Sequence, residues 1–248
     1  VNNTLLSTCQ VDWVCDSLPN SGITFNISGN ATGCESLTAI TIACNALNCP
    51  TTGIVNITNQ AQANALLGCT TIAGNLNIIP NGITLDLSPL RFITTISGGL
   101  FINPNGASLD LSQLDDITSI GGGLIINSLG NTGSLTLFPN INSIGGAIVF
   151  DQLQASSING FNNLTTIHSL GVSFCNNLVS FGAFNNVTST TGDILNLFGN
   201  PNLTTITGLN NLNSLTFGIT LHSNTSLTNL NFLNSLTTIN GSFGGVRL

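Results

Sequence analysis

Residues 72–78 have the sequence Ile-Ala-Gly-Asn-Leu-Asn-Ile, and this I-x-G-x-L-x-I pattern decides the fold because it returns at a fixed interval. Further copies begin at Ile96, Ile120 and Ile144, each 24 residues after the one before. Looser copies continue the spacing: Val172 and Phe174, Leu195 and Leu197, Ile219 and Leu221, and Gly241 and Phe243. The interval predicts about eight turns of a repeat.

Other apolar residues fill the interval between copies. Residues three apart precede most copies, as in Leu90, Ile93 and Ile96, and a short pair such as Leu85 and Leu87 lies further upstream. The alternation within the copies and within the pairs is typical of short strands with one face inward. A repeat in the twenties cannot bury its apolar residues alone, so neighbouring repeats must stack into a continuous core. We therefore expect an all-β fold, a right-handed parallel β-solenoid.

The glycine of each full copy, at positions 74, 98, 122 and 146, is predicted to lie where the chain bends or where another backbone comes close. Residues 1–68 lack the 24-residue period and are predicted to form an N-terminal cap, followed by the solenoid over residues 69–248.

Charge is scarce along the chain. Lys and Arg total 2 against 9 Asp and Glu, which gives a net charge of -7 in 248 residues. Nucleic acids and anionic membrane surfaces need clustered basic residues, so neither is expected as a partner. Membrane insertion is not expected either, because no apolar run approaches the roughly 18 to 20 residues that span a bilayer.

Cysteines cluster near the N-terminus, while Cys175 stands apart as a packed thiol or as half of an intermolecular bridge. Their spacing does not fit a zinc site, so a disulfide-stapled, exported protein is favoured. Six cysteines allow fifteen pairings, and the sequence leaves the choice open. The six predicted to form bridges are Cys9, Cys15, Cys34, Cys44, Cys49 and Cys69.

The repeats resemble a known family. Residues 68–78, Gly-Cys-Thr-Thr-Ile-Ala-Gly-Asn-Leu-Asn-Ile, and the L-xx-L-xx-I-x-G-x-L-x-I units that follow are similar to the receptor L-domain family. The segment from Cys9 to Cys44 resembles the leaders of its secreted bacterial members. This resemblance implies a leucine-rich-repeat-like β-solenoid that acts as a secreted, non-catalytic recognition or surface module.

Catalytic chemistry has few candidate residues. Asp86 and Asp110 lie one repeat apart at the outward position of Leu-Asp-Leu, where two stacked carboxylates could bind Ca²⁺, although two solvated strand residues are the plainer interpretation. No Ser-His-Asp set has a supporting spacing. We therefore expect no enzyme activity and no cofactor.

Small hydroxyl and amide residues fill the step between the last two apolar positions of each L-xx-L-xx-I unit. Stacked, they predict a flat uncharged ladder that suits either extended backbone or an ice-binding or ligand-binding face. The threonines and serine proposed for that face are Thr94, Thr95, Thr118, Ser119, Thr165, Thr166, Thr237 and Thr238.

Three outward positions on consecutive turns are apolar: Phe101, Ile125 and Val149, with Asn77 and Ser173 expected to flank them. Exposed apolar patches tend to mark contact sites, unless a loop or the cap covers them. The sequence thus predicts a secreted extracellular solenoid that contacts other copies of itself or other surface proteins, as an adhesin or as a subunit of an assembly. The alternatives are an ice-binding solenoid and a glycan-binding or calcium-binding module.

Overall fold

The computed structural model describes residues 49–192 and 194–240, the strand at 246–247, and residues 34, 36, 39–42 and 44. Of the predicted features, Cys9, Cys15, Gly241, Phe243 and most of the cap lie outside the described residues.

Short strands dominate the described part of the chain. Helical segments are brief: Gln60–Asn64 is α-helical, and Ser88–Leu90, Leu111–Leu114 and Asn231–Leu233 are 3₁₀ helices. The strands, in chain order, are β1 (Ile54–Ile57), β2 (Thr71–Ile72), β3 (Asn75–Ile78), β4 (Thr95–Ile96), β5 (Leu100–Ile102), β6 (Ser119–Ile120), β7 (Leu124–Asn127), β8 (Ser134–Leu137), β9 (Ser143–Ile144), β10 (Ile148–Asp151), β11 (Ser157–Gly160), β12 (Thr166–Ile167), β13 (Leu170–Ser173), β14 (Ser180–Phe181), β15 (Ser189–Thr190), β16 (Leu195–Phe198), β17 (Thr205–Ile206), β18 (Ser214–Leu215), β19 (Ile219–Thr220), β20 (Thr238–Ile239) and β21 (Val246–Arg247).

These strands form a parallel β-solenoid of about eight turns, which confirms the predicted fold class. One strand of each turn enters a nine-stranded sheet with the order β1-β3-β5-β7-β10-β13-β16-β19-β21. Within the described residues, three four-stranded sheets cover the other sides: β2-β4-β6-β9, β12-β15-β18-β20 and β8-β11-β14-β17. Among the described strands, each pairing joins a strand to its counterpart in the next turn.

The core runs along the inside of the stack. Leu76, Leu100, Leu124 and Ile148 face inward from adjacent strands of the nine-stranded sheet, and each is at most 1% exposed. Phenylalanines fill the opposite corner, where the rings of Phe161 and Phe184 stack 4.7 Å apart. The apolar columns found in the sequence are therefore the columns of this core.

The register departs from 24 residues in the middle of the stack. Ile148 pairs with Leu170, a step of 22, and Leu170 pairs with Leu195, a step of 25. Val172 thus occupies the inward place predicted for Phe174, which is instead 47% exposed. The prediction that Phe174 faces the core is wrong, because the step from β10 to β13 is two residues shorter than the 24-residue period.

Two further boundaries differ from the predictions. The strand β1 pairs with β3, so the nine-stranded sheet begins before residue 69. At the other end Val246 pairs with Ile219, three residues beyond the predicted Phe243. Residues 85–87 form no strand, and Leu111 begins a 3₁₀ helix, so the upstream leucine pairs become strands only from β8 onward.

The repeated glycines lie where successive turns come close, as predicted. A Cβ atom built on Gly122 would lie 2.8 Å from the backbone nitrogen of Gly99, and one on Gly146 would lie 2.8 Å from that of Gly123. Since real Cβ atoms do not approach backbone so closely, these positions exclude any side chain.

Candidate functional site

An apolar strip lies on the solvent side of the nine-stranded sheet. Phe101 pairs with Ile125, and Ile125 pairs with Val149, so the three side chains stack on β5, β7 and β10. Ile125 is 38% exposed, and Phe101 and Val149 are partly buried. The structure therefore brings together the three residues that the sequence placed on one face, and we call them the apolar strip.

The residues at the two ends of the strip are neutral. Asn77 precedes Phe101 in the register, and its side-chain nitrogen donates to Oδ1 of Asn56 at 2.9 Å. Gly171 follows Val149, so the prediction that Ser173 flanks the strip is wrong, for the same two-residue shortening that moves Phe174.

Small residues lie along one side of the strip. Gly99, Gly123 and Ala147 immediately precede the inward residues of β5, β7 and β10. On the other side, Asn103 follows β5, and Asn127 and Asp151 end β7 and β10. The Asp151 carboxylate accepts a hydrogen bond of 2.7 Å from the Ser173 hydroxyl. The result is a flat face with an apolar centre and a polar margin.

The hydroxyl ladder forms at the corner preceding the nine-stranded sheet. Thr95 pairs with Thr71 and Ser119 in the sheet β2-β4-β6-β9. Thr166 and Thr238 lie in the sheet β12-β15-β18-β20. Thr118 Oγ1 donates to the carbonyl of Thr94 at 3.1 Å, and Thr237 Oγ1 donates to that of Asn213, also at 3.1 Å. These bonds give the ladder a role in joining turns, and ice binding by it stays a prediction.

The two stacked carboxylates each bond within their own turn. Asp86 accepts bonds of 2.8 Å from the nitrogen and the hydroxyl of Ser88, while Asp110 accepts from Ser112 and from Gln113. The hydrogen bonds from Ser112 and Gln113 lower the pKa of Asp110. Both carboxylates thus stabilise the turns that follow them, and calcium binding there stays a prediction. No cluster of three or more metal-ligating side chains occurs in the described part of the chain.

Burial and nearby carboxylates raise the pKa of Asp115. Desolvation is the larger cause, and the charges of Asp110 and Asp116 add to it. Its Oδ1 atom is buried without a hydrogen-bond partner.

Disulfides occur at the N-terminal end of the solenoid. Cys49 is bonded to Cys69, with their Cα atoms 5.6 Å apart, and Cys34 and Cys44 are also disulfide-bonded. Cys175 is a free, fully buried thiol, and burial raises its pKa to about 12. This placement fits the packed-thiol interpretation, because a bridge to another chain would require an accessible sulfur.

A row of aromatic rings, which the repeat pattern did not predict, lies on another corner. Phe174, Phe198 and His222 lie on successive turns just past β13, within β16 and past β19. A constant 24-residue period predicts that Phe174 faces the core. The shorter step before β13 places Phe174 outside it instead.

Comparison with known families agrees with this architecture. Residues 94–194 match the model of the family described as Receptor L domain, which confirms the resemblance seen in the repeats. No curated protein and no solved structure gave a significant match. No helix among the described residues is long and apolar enough to cross a membrane. The family match and the disulfide-linked solenoid together indicate an extracellular recognition module.

Proposed function

We propose that this chain is a secreted, non-enzymatic module that acts as a surface adhesin or as a structural subunit of an extracellular assembly, and that it binds a second copy of itself through the apolar strip. The observation behind the proposal is the stacking of Phe101, Ile125 and Val149 in solvent on three consecutive strands. Receptor L domains are ligand-binding domains, which supports recognition rather than catalysis.

The layout of the face suits a protein interface. Interfaces have an apolar centre and a polar rim, and they bury about 800 Å² on each partner. Nine strands at about 4.8 Å extend over roughly 40 Å, and four residues span about 13 Å, so the sheet itself offers roughly 500 Å². The turns beside the sheet must supply the remaining area, while the strip supplies the centre. Amides such as Asn77 and Asn196 form the rim.

Charge favours a second copy as the partner. The four carboxylates Asp86, Asp110, Asp115 and Asp116 lie on turns outside the nine-stranded sheet. Asp151, the carboxylate at the margin, is held by Ser173 and Gln152. Two such faces can therefore meet without like charges opposing each other at the centre.

Sedimentation velocity and electron microscopy of the chain with native disulfides test this proposal. We expect dimers or longer assemblies for the parent chain and monomers for Ile125→Asp, because a carboxylate at the centre would lose its hydration in the interface. The matched control is Thr166→Asp, which adds the same charge to an exposed strand on the ladder face and should leave assembly intact.

Unchanged melting temperature of Ile125→Asp would show that dispersal is not unfolding. A parent chain that stays monomeric at all accessible concentrations, or an Ile125→Asp variant that assembles normally, would contradict the proposal.

A further inference from the structure

The aromatic row at the carboxyl end of the nine-stranded sheet is exposed and ordered by ring contacts. Phe174 meets Phe198 edge to face with ring centroids 5.1 Å apart, and Phe198 stacks on His222 at 5.6 Å. His222 is further held through its Nδ1 atom, which shares a hydrogen bond with the Ser223 hydroxyl. The row therefore presents fixed aromatic surface on three turns rather than mobile side chains.

The backbone of Phe174 adopts a costly conformation. Its φ of 52° lies in the left-handed region, which is unusual for a bulky residue. Phe138, Phe161 and Phe184 share a positive φ, but their rings are buried in the core, which offsets the cost. Ser128, Gln152, Gly199 and Ser223, which follow the neighbouring strands, have the same left-handed φ. This corner is therefore a feature of the repeat, and it holds the Phe174 ring outside the core.

The neighbouring turn makes room for the Phe174 ring. Gly199 directly follows Phe198, the register partner of Ser173, and a Cβ atom on Gly199 would come within 3.1 Å of the Phe174 ring. One edge of Phe174 is thus supported while 47% of the side chain stays exposed.

A groove leads away from Phe174 along the stack. A shallow depression of about 420 Å³ is lined by Gln152, Gln154, Phe174 and Asn176. It continues into a second one of about 230 Å³, which shares both glutamines and reaches Asn105 and Ser128 on earlier turns. At about 4.8 Å per turn the groove crosses four turns, a length of roughly 14 Å.

The amides of the groove have unused hydrogen-bonding capacity. Gln152 donates from Nε2 to Asp151 at 3.0 Å, which leaves its carbonyl oxygen open. Gln154 accepts from Asn177 at 3.0 Å, which leaves its NH₂ group open. Side-chain amides offer both donors and acceptors, and the hydroxyl groups of a ligand can bond to both.

The charge around the groove excludes acidic ligands. Apart from Arg247 in β21, the described part of the chain has one basic residue, Arg91, which lies over the Phe92 ring on an early turn. The nearest carboxylate, Asp151, is engaged by Ser173 and Gln152. A neutral ligand that is rich in hydroxyl groups and apolar on one face fits these surroundings.

We propose that this groove binds a neutral oligosaccharide, with a pyranose ring packed on Phe174 and its hydroxyl groups bonded to Gln152, Gln154 and Asn176. The C–H face of a sugar ring is apolar and suits the negative face of an aromatic ring. This site begins at the margin of the face that carries the apolar strip, where Gln152 follows Asp151, and binding there does not require self-association.

Affinity electrophoresis of the full chain in native gels tests the site. The probes are three soluble neutral polysaccharides, hydroxyethylcellulose, laminarin and yeast mannan, with polygalacturonate as the acidic comparison. We expect at least one neutral probe to retard the parent chain and polygalacturonate to leave its mobility unchanged. Phe174→Ala should weaken binding at least about tenfold, the effect of losing a central aromatic contact.

Two variants separate recognition from general effects. Phe174→Trp keeps an aromatic surface and should retain binding. Phe217→Ala removes another exposed phenylalanine, 37% exposed and outside the groove lining, and should bind like the parent chain. Absence of retardation by every neutral probe, equal binding by Phe174→Ala, or preferred binding of polygalacturonate would each overturn the proposal.

Discussion

Two buried asparagines, Asn200 and Asn224, continue a column that begins with leucine. Counting on from the paired strands, the column runs through Leu129, Leu153 and Cys175 before it reaches them. Asn200 Oδ1 accepts from the backbone nitrogen of Cys175 at 3.0 Å, and its Nδ2 donates to Val172 O and to Asn224 Oδ1. The side chain thereby satisfies backbone groups that neighbouring strands leave unpaired.

We predict that Asn200→Ala lowers the free energy of unfolding by about 2 to 4 kcal/mol, because it leaves buried backbone donors and acceptors without partners. Urea denaturation followed by circular dichroism measures the change. The matched control is Asn202→Ala, which removes an exposed amide bonded to Asn176 O and should cost less than about 1 kcal/mol. Equal losses in the two variants would refute this account of the buried pair.

Single residues also mark the limit of what the sequence could predict. A strand has a side-chain period of two, so a shift of two residues keeps every apolar side chain on the same face. Val172 and Phe174 therefore fit the inward pattern equally well when counted by 24. The pairing of Phe150 with Val172 shows that Val172 takes the inward position. The same pairing places Phe174 in the groove.

At the scale of the element, the leucine pair at 109 and 111 leads into a 3₁₀ helix, whereas the pair at 135 and 137 lies in a strand. This difference has a local cause. Asp110 accepts a hydrogen bond from the Ser112 nitrogen, and Leu111 and Leu114 are three apart, which suits a 3₁₀ helix. In the turn of β8, Thr136 replaces the aspartate, and the segment is a strand. Alternation of apolar and polar residues predicts a strand for both segments, because this pattern does not show whether the polar side chain caps the residues that follow.

The glycines of the four full copies, at positions 74, 98, 122 and 146, set how closely the turns stack there. We predict that Gly146→Ala destabilises the fold by about 2 kcal/mol or more, since its Cβ would meet the Gly123 backbone at 2.8 Å. Gly171→Ala is the matched control in the same sheet, because its Cβ would meet only Val149 methyl groups at 3.8 Å. Thermal melting compares them, and a Gly146→Ala variant as stable as Gly171→Ala would show that the stack can expand there.

At the scale of the whole molecule, the solenoid is a one-dimensional stack. Each turn contacts its neighbours through parallel strands, as the nine-stranded sheet shows. Stability in such a stack is a sum over turns and their interfaces, so terminal turns open more readily than central ones. The Cys49–Cys69 disulfide strengthens the N-terminal end, and the C-terminal turns are expected to open first.

Thiol labelling measures this gradient. Burial raises the pKa of Cys175 to about 12, so at pH 8 its thiolate is scarce and labelling requires that the surrounding turns open. In a Cys175→Ser background, we compare Leu178→Cys, in a central turn, with Leu221→Cys, near the C-terminal end; both leucines are buried.

With native disulfides intact, we predict that Leu221→Cys reacts at least about tenfold faster, because a terminal turn opens with less free energy than a central one. Mass spectrometry of the labelled peptide gives both rates. Equal rates that follow global unfolding would instead mean that all turns of the solenoid unfold as one cooperative unit.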